Sequence, residues 1–217
     1  RRRGCLQLQI ETLCQKNIDS FDDFYAIYSI SFPSSEQKSK KELLIMLNSP
    51  DYTIFTSKIE TQTVGFCIIF HSEQTSFYLL EYMAIDGTKR SLGIGSKLFF
   101  HAITQIFSEH GIKPMLIEID SPEEKSDEQN LREKREQFYK KLGCRKIESF
   151  DYILPIKSDQ IAPPMELLVY HNDMQNILKS QLQEWLEGIY MLVYGCAKDD
   201  ERINKMISHA PQILNLI

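Results

Sequence analysis

The sequence shows neither a paired-cysteine framework nor an apolar run long enough to span a bilayer. Its five cysteines, at positions 5, 14, 67, 144 and 196, are odd in number and form no Cys-x-x-Cys pair. That argues against a disulfide framework and against a bound metal, and makes a reducing compartment, the cytoplasm, the default. Long apolar runs are also missing: a stretch such as 43–47 is far too short to span a bilayer. The arginines at positions 1–3 suggest a signal-peptide start, but Gln7, Gln9 and Glu11 deny it an apolar segment. No basic patch exists. The net charge is −5 with acids and bases mixed, which argues against nucleic acid or a membrane as partner and is compatible with a cationic substrate. No internal repeat or low-complexity tract is visible. At 217 residues the chain can bury a sizeable core unaided, as one domain or one domain with an appendage.

What is present centres on residues 77–100, FYLLEYMAIDGTKRSLGIGSKLFF. Residues 77–85 are aromatic and apolar between turn formers, the pattern of a strand buried on most of both faces. From Ser96 onward, Leu98, Phe99, Ala102, Ile103 and Ile106 recur at helical spacing. Between strand and helix lies a turn with Gly87, Gly93 and Gly95. A strand, a glycine-rich turn and a helix start in that order expose backbone N–H groups and the positive end of the helix dipole to one spot, an anion site. The glycines also fit a simpler purpose, tight backbone geometry alone. A dinucleotide fingerprint fails because Leu98 stands where a third glycine is needed, and no window supplies a Walker-type loop.

Taken in order, the pattern predicts a strand over 6–13, helices over 21–30 and from about 38 to 47, and a hairpin of 52–58 with 64–71. The strand over 77–85 and the helix from about 93 to 110 follow, then a strand over 115–120, a helix over 130–142 closed by Gly143, and strands over 146–155 and 165–171. The last two suggest an antiparallel edge pair. A polar loop around residues 163–164 separates them. A long helix from 172 or 173 to Gly195 and a short one after Asp199 and Asp200 end the chain. Strand hairpins mixed with crossover units read as α+β, an α/β arrangement with a mixed sheet.

Arg90-x-x-Gly93-x-Gly95 resembles the pyrophosphate-binding motif of the GNAT acetyltransferase family, Gln/Arg-x-x-Gly-x-Gly/Ala. Phe138, Tyr139, Leu142 and Gly143 resemble the family's later helix motif, Phe-Tyr-x-x-Leu-Gly-Phe, in the right order and on the right elements. The element order resembles the family along about 6–171. The resemblance implies a GNAT-like domain over 1–171 and a C-terminal helical extension over 172–217 packed on it. Cys144 replaces the motif's final Phe, and Arg132 and Arg135 stand where many members carry Asn and a small residue. A bacterial subset shares this Arg-x-x-Arg-x-x-Phe-Tyr helix, and Tyr152, Pro155, Pro164, Met165 and Leu167 also resemble its pattern. Arg132 and Arg135 either pair with Glu136 or Glu128 on a solvated face or meet a coenzyme phosphate or acceptor carboxylate.

The resemblance implies transfer of an acetyl group from acetyl-CoA to a primary amine by direct attack in a ternary complex, without metal or covalent intermediate. It implies coenzyme contacts at Arg90, Ser91, Leu92, Gly93, Ile94, Gly95 and Ser96, and backbone contacts to the pantetheine arm near Met83 and Ile85. An N–H near Met83 would polarise the thioester carbonyl. Tyr139 would protonate the departing thiolate. A protonated amine needs a base, and Glu81, set among apolar residues in the central strand, is suited to it because burial raises a carboxyl pKa. Glu81 equally fits a carboxylate paired with a cation or facing solvent. Glu118 and Asp120 are lesser candidates. Phe138 is expected against the sheet and Tyr139 toward the rim. Cys67 and Cys144 are read as small core residues. The acceptor is a small-molecule or protein amine, and the chain a monomer or homodimer. Retained Glu81 and Tyr139 favour an enzyme over the alternative, an acyl-CoA-binding sensing or interaction module without turnover.

Overall fold

The computed structural model describes residues 7–123, 125, 127–156 and 164–217, so the three leading arginines and residue 163 of the expected proline loop lie outside the described residues. The chain divides into two compact units. One comprises the chain up to Glu73 with Leu80–Ile112, the other Gln74–Leu79 with Lys113–Ile217.

The first unit holds β1 (Leu8–Thr12), α1 (Ser20–Ser31), α2 (Lys40–Leu47), β2 (Tyr52–Ile59), β3 (Gln62–Phe70), most of β4 (Tyr78–Ile85) and α3 (Ile94–His110). Its strands lie in the order β1-β2-β3-β4. The β1–β2 and β2–β3 pairs are antiparallel, and a bulge shifts the second register between Ser57 and Lys58. A two-residue turn with Glu60 at φ 57° joins β2 to β3. Ser39 starts α2 with reciprocal caps: its hydroxyl accepts from the Glu42 amide, and the Glu42 carboxylate accepts from the Ser39 amide at 2.7 Å. Phe21, Phe24, Ile27 and Tyr28 of α1 pack with Leu43 and Met46 of α2 on Ile54, Phe66, Ile68 and Tyr82 of the sheet. The Phe24 and Phe66 rings meet edge to face at 4.8 Å.

The second unit holds β5 (Met115–Asp120), α4 (Gln129–Lys141), β6 (Arg145–Lys146), β7 (Met165–Tyr170), β8 (Asn176–Leu178), α5 (Lys179–Gly188), α6 (Glu201–Ser208) and β9 (Ile213–Asn215). Its strands run β5-β7-β6, all antiparallel, with β8 and β9 as a separate pair. The strand expected over 146–155 shrinks to two residues. Ser149 at φ 53° turns the chain out of register, and pairing returns only at the Tyr152–Met165 bridge.

The long helix expected from residue 172 also breaks up. Residues 176–178 pair with the chain end, α5 starts at Lys179, and Ile189–Val193 widens into a π-turn. Ile177 is buried between exposed neighbours, as in a strand's alternation, whereas Leu178, which falls at helical spacing with Leu182, Trp185, Leu186 and Ile189, is exposed. Of the apolar residues at helical spacing in this stretch, Leu178 and Leu192 are exposed, and the buried face is narrower. Leu182, Trp185, Leu186 and Ile189 are fully buried, and the Trp185 indole N–H donates to Ser76 Oγ at 3.2 Å.

One glycine in β3 is fixed by space. A Cβ at Gly65 would overlap Ile85 Cδ1 and lie 2.9 Å from Ser57 Oγ and 3.0 Å from the Ala84 carbonyl oxygen. Gly65→Val is therefore expected to lower the free energy of unfolding by about 1–3 kcal/mol, the usual cost of overpacking, as read from urea denaturation.

Candidate functional site

β4 leads into the turn without a break. Asp86 closes it: its amide donates to the Val64 carbonyl at 2.9 Å, and its carboxylate accepts from the Thr88 amide and hydroxyl, each at 2.8 Å. Those hydrogen bonds hold the Asp86 carboxyl below its ordinary range. A single 3-10 turn, Gly87–Lys89, delivers Arg90 in extended conformation. The exposed Arg90 donates Nε–H to the Ile85 carbonyl at 3.4 Å.

The next residues take the unusual backbone. Ser91 has φ 64° and Gly93 φ 74°. The left-handed region is costly for a serine, and such residues cluster at ligand-binding loops. Gly93 is the N-cap of α3 and carries no capping side chain. The space where its Cβ would stand is open, with nothing within 4 Å. The amides of Ile94, Gly95 and Ser96 open a helix of 17 residues, ahead of any intrahelical acceptor. The turn thus presents amide hydrogens, a helix dipole and an arginine, a geometry suited to a phosphate. Met83 and Ile85 stand half-buried at the end of β4.

Glu81 lies on the same strand with its side chain only 1% exposed. Lys38 Nζ, from the segment between α1 and α2, stands 2.8 Å from Glu81 Oε1. Among the described residues Oε2 has no hydrogen-bond partner. Burial is the larger influence on Glu81 and raises its carboxyl pKa; Lys38 opposes it. Burial lowers the lysine in turn, and the carboxylate beside it more than offsets this, so Lys38 stays charged above its usual range. Glu81 is thus buried and paired with a cation rather than facing solvent. Two tyrosines fix the segment that carries Lys38. The Lys38 amide donates to the fully buried Tyr28 hydroxyl at 2.7 Å, and the Tyr82 hydroxyl donates to the Glu36 carbonyl at 2.8 Å. The two rings meet at 5.1 Å, edge to face.

Tyr139 belongs to the second unit. The expected burial of Phe138 over Tyr139 is reversed: Tyr139 is buried and Phe138 half-buried, their rings edge to face at 5.1 Å. The inner face of α4 runs through Glu136 and Tyr139, three apart, so Phe138 falls to its flank. Arg135 pairs with Asp120 at 2.7 Å rather than with Glu136 or Glu128, and Glu136 pairs with Lys140 at 2.7 Å. Glu118 accepts from the Tyr152 hydroxyl and, at 2.6 Å, from that of Tyr194. Cys67 and Cys144 are core residues as expected, and burial pushes the Cys144 thiol up to about 12.

Residues 21–144, more than half of the chain, match the family described as Acetyltransferase (GNAT) family. The chain belongs to that family. GNAT enzymes transfer an acetyl group from acetyl-CoA to an amine, and the chain is accordingly an acetyl-CoA-dependent N-acetyltransferase of α+β fold. No curated protein matches it in sequence. Solved structures share the GNAT fold. An acetyltransferase of the family from Bacteroides thetaiotaomicron is 19% identical, covers 87% of this chain and 99% of its own, and superposes with a TM-score of 0.69. A ribosomal-protein-alanine N-acetyltransferase from Escherichia coli is 15% identical over 77% of this chain and 99% of its own, TM-score 0.55. An aminoglycoside 6'-N-acetyltransferase in complex with coenzyme A is 18% identical over 75% and 96%, TM-score 0.59. No helix among the described residues is long and apolar enough to cross a membrane.

Lys38 was not singled out by the sequence, and Ser91 only as a coenzyme contact, not for its left-handed backbone. Nothing local marks a lysine as the partner of a carboxylate 43 positions away, and a serine in a glycine-rich turn looks ordinary. The Lys38 segment depends on Tyr28. Tyr28→Phe removes the acceptor of the Lys38 amide while keeping the ring, and is expected to cost about 1–2 kcal/mol. Calorimetric melting should record a fall of about 2–4 °C per kcal/mol for a chain of this size.

Proposed function

We propose that this chain acetylates a primary amine by direct attack within a ternary complex, with the turn at Arg90, Ser91, Leu92, Gly93, Ile94, Gly95 and Ser96 holding the coenzyme, Glu81 as general base and Tyr139 as general acid. The observation that carries the reading is Glu81: a carboxylate inside the strand that feeds the anion-binding turn, its proton affinity raised by burial. Acetyl-CoA supplies the thioester. The uncapped start of α3, the left-handed backbone at Ser91 and Gly93 and the exposed Arg90 fit its pyrophosphate. Amides near Met83 and Ile85 take the pantetheine arm, as in the family.

An amine attacks only as the free base. Glu81 removes its proton as the nitrogen bonds to the acyl carbon, and Tyr139 returns one to the sulfur as the carbon–sulfur bond breaks. A raised carboxyl pKa suits the first step, because a base works best with a pKa near the working pH. The acceptor is a small-molecule or a protein amine; relatives named for an aminoglycoside and for a ribosomal protein stand for both kinds. A panel of aminoglycosides, polyamines and alanyl peptides, scored by acetyl-CoA consumption and product mass, separates them. Consumption with none of them would favour a binding module over an enzyme. Buried free thiols at Cys67 and Cys144 support a reducing, cytoplasmic setting. Residues 172–217 lie beyond the family match and are read as an extension of the 1–171 domain.

Gly93→Val forces a β-branched residue into the left-handed region at the helix start. It should weaken acetyl-CoA binding about tenfold or more by calorimetry. An unchanged affinity in a folded variant counts against the turn as the coenzyme site. Tyr139→Phe removes one hydroxyl from a buried ring and should lower kcat by about 10²- to 10⁴-fold with little change in acetyl-CoA affinity. Wild-type kcat on a genuine acceptor would reduce Tyr139 to packing.

A further inference from the structure

We infer that Lys38 is a positioning residue for acetyl transfer: its ammonium, pinned 2.8 Å from the Glu81 carboxylate by the segment between α1 and α2, keeps that buried carboxylate ionised and able to take a proton. The inference rests on reading Glu81 as the general base.

A carboxylate sealed from water loses its hydration, and alone it would hold a proton through the neutral range and be useless as a base. Among the described residues Lys38 is the cation within ion-pair distance. The other titratable groups around the pair do not replace it. Tyr28, from α1, is a neutral phenol that accepts from the Lys38 amide. Tyr82, on β4 itself, spends its hydroxyl on the Glu36 carbonyl. Glu42, from α2, acts on Lys38 but its carboxylate is engaged by the Ser39 amide and hydroxyl at 2.7 and 2.8 Å.

The lysine is held in place from two sides. Tyr28 fixes its backbone, and Tyr82 fixes the carbonyl two residues earlier. The Lys38 side chain is 19% exposed against 1% for Glu81, so the cation borders water while the carboxylate does not. Such an arrangement balances two opposed effects. Burial gives Glu81 more proton affinity than a surface carboxylate, and the Lys38 ammonium opposes that gain.

The sign of the pH effect follows. Removing the ammonium leaves burial unopposed, so the Glu81 pKa rises. An opposite charge at this range moves a carboxyl by about 1–3 pH units. The acid limb of kcat/KM, below which the base is protonated, should move up by the same amount in Lys38→Met, with rates recovering at high pH. Lys38→Arg keeps the charge and should hold the limb within about one unit of wild type. Tyr28→Phe loosens the segment but leaves the charge, and should lower the rate without moving the limb so far.

The test is a carbon-13 titration of the glutamate side-chain carboxyls in the full chain, with Glu81→Gln assigning the resonance, on wild type, Lys38→Met and Lys38→Arg. It needs no acceptor. A Glu81 pKa raised by one unit or more in Lys38→Met and restored in Lys38→Arg is the expected result. A pKa that stays put, or that rises equally in both variants, overturns the proposal. Acetyl transfer to an aminoglycoside and to an alanyl peptide is then followed against pH. If Glu81→Gln keeps the wild-type acid limb, Glu81 is not the base, and this proposal falls with that reading. If Glu81→Gln abolishes the limb while Lys38→Met leaves it in place, the base reading stands and Lys38 alone is overturned.

Discussion

Moving a carboxylate out of water costs on the order of several kcal/mol even after the protein relaxes around it. Glu81 meets that cost inside the strand that leads to the proposed coenzyme turn, where an apolar residue would pack at no electrostatic expense. The pair it forms with Lys38 is poor evidence for stability, since buried ion pairs often do no better than well-packed hydrophobes. Its presence in a strand otherwise filled by Leu79, Leu80 and Tyr82 is better explained by chemistry than by folding.

The first unit is arranged so that this pair can exist. Lys38 comes from neither helix but from the short segment between them, and that segment is anchored at its ends. Gln37 donates its side-chain amide to the Ser29 and Phe32 carbonyls at 2.9 and 2.6 Å, tying the segment to the end of α1. Ser39 and Glu42 start α2 at once. Tyr28 and Tyr82 reach the segment from α1 and β4 and pack on each other. The aromatic cluster around Phe66 therefore does more than fill a core. It packs around the Tyr28 ring, whose hydroxyl accepts from the Lys38 amide.

Local signals were legible in the sequence and distant pairings were not. β4, its turn and α3 were readable because each is written in adjacent residues: an apolar run, turn formers, glycine, then a 3.6-residue period. The inner stripe Leu182, Trp185, Leu186 and Ile189 was equally plain. The errors share one cause. Leu178 fell at helical spacing with Leu182, Trp185 and Leu186, and only pairing with the distant residues 213–215 put it in a strand. Phe138 and Tyr139 differ by one position on α4, and which of them turns inward depends on what the helix meets rather than on its own sequence. Arg135 had acidic neighbours on its helix, yet its partner Asp120 sits at the end of β5. Glu81 could be named as a buried carboxylate, but its cation could not.

The turn and the carboxylate place opposite demands on one short stretch of chain. As the proposed coenzyme site, the backbone from Arg90 to Ser96 gathers positive potential, with an unfavourable φ at Ser91. Nine residues earlier the strand must hold a negative charge that the low-dielectric interior resists. The potential of the helix start falls off within its first turn. A base on β4 therefore gains little from α3 and needs a cation at contact distance. Supplying that cation from a mobile lysine stem alone would give a loose electrostatic partner; fixing the lysine's backbone through Tyr28 leaves only the side chain to be ordered. In the proposed mechanism the segment between α1 and α2 thus sets the charge state of the base, while the turn it never touches in sequence supplies the anion site.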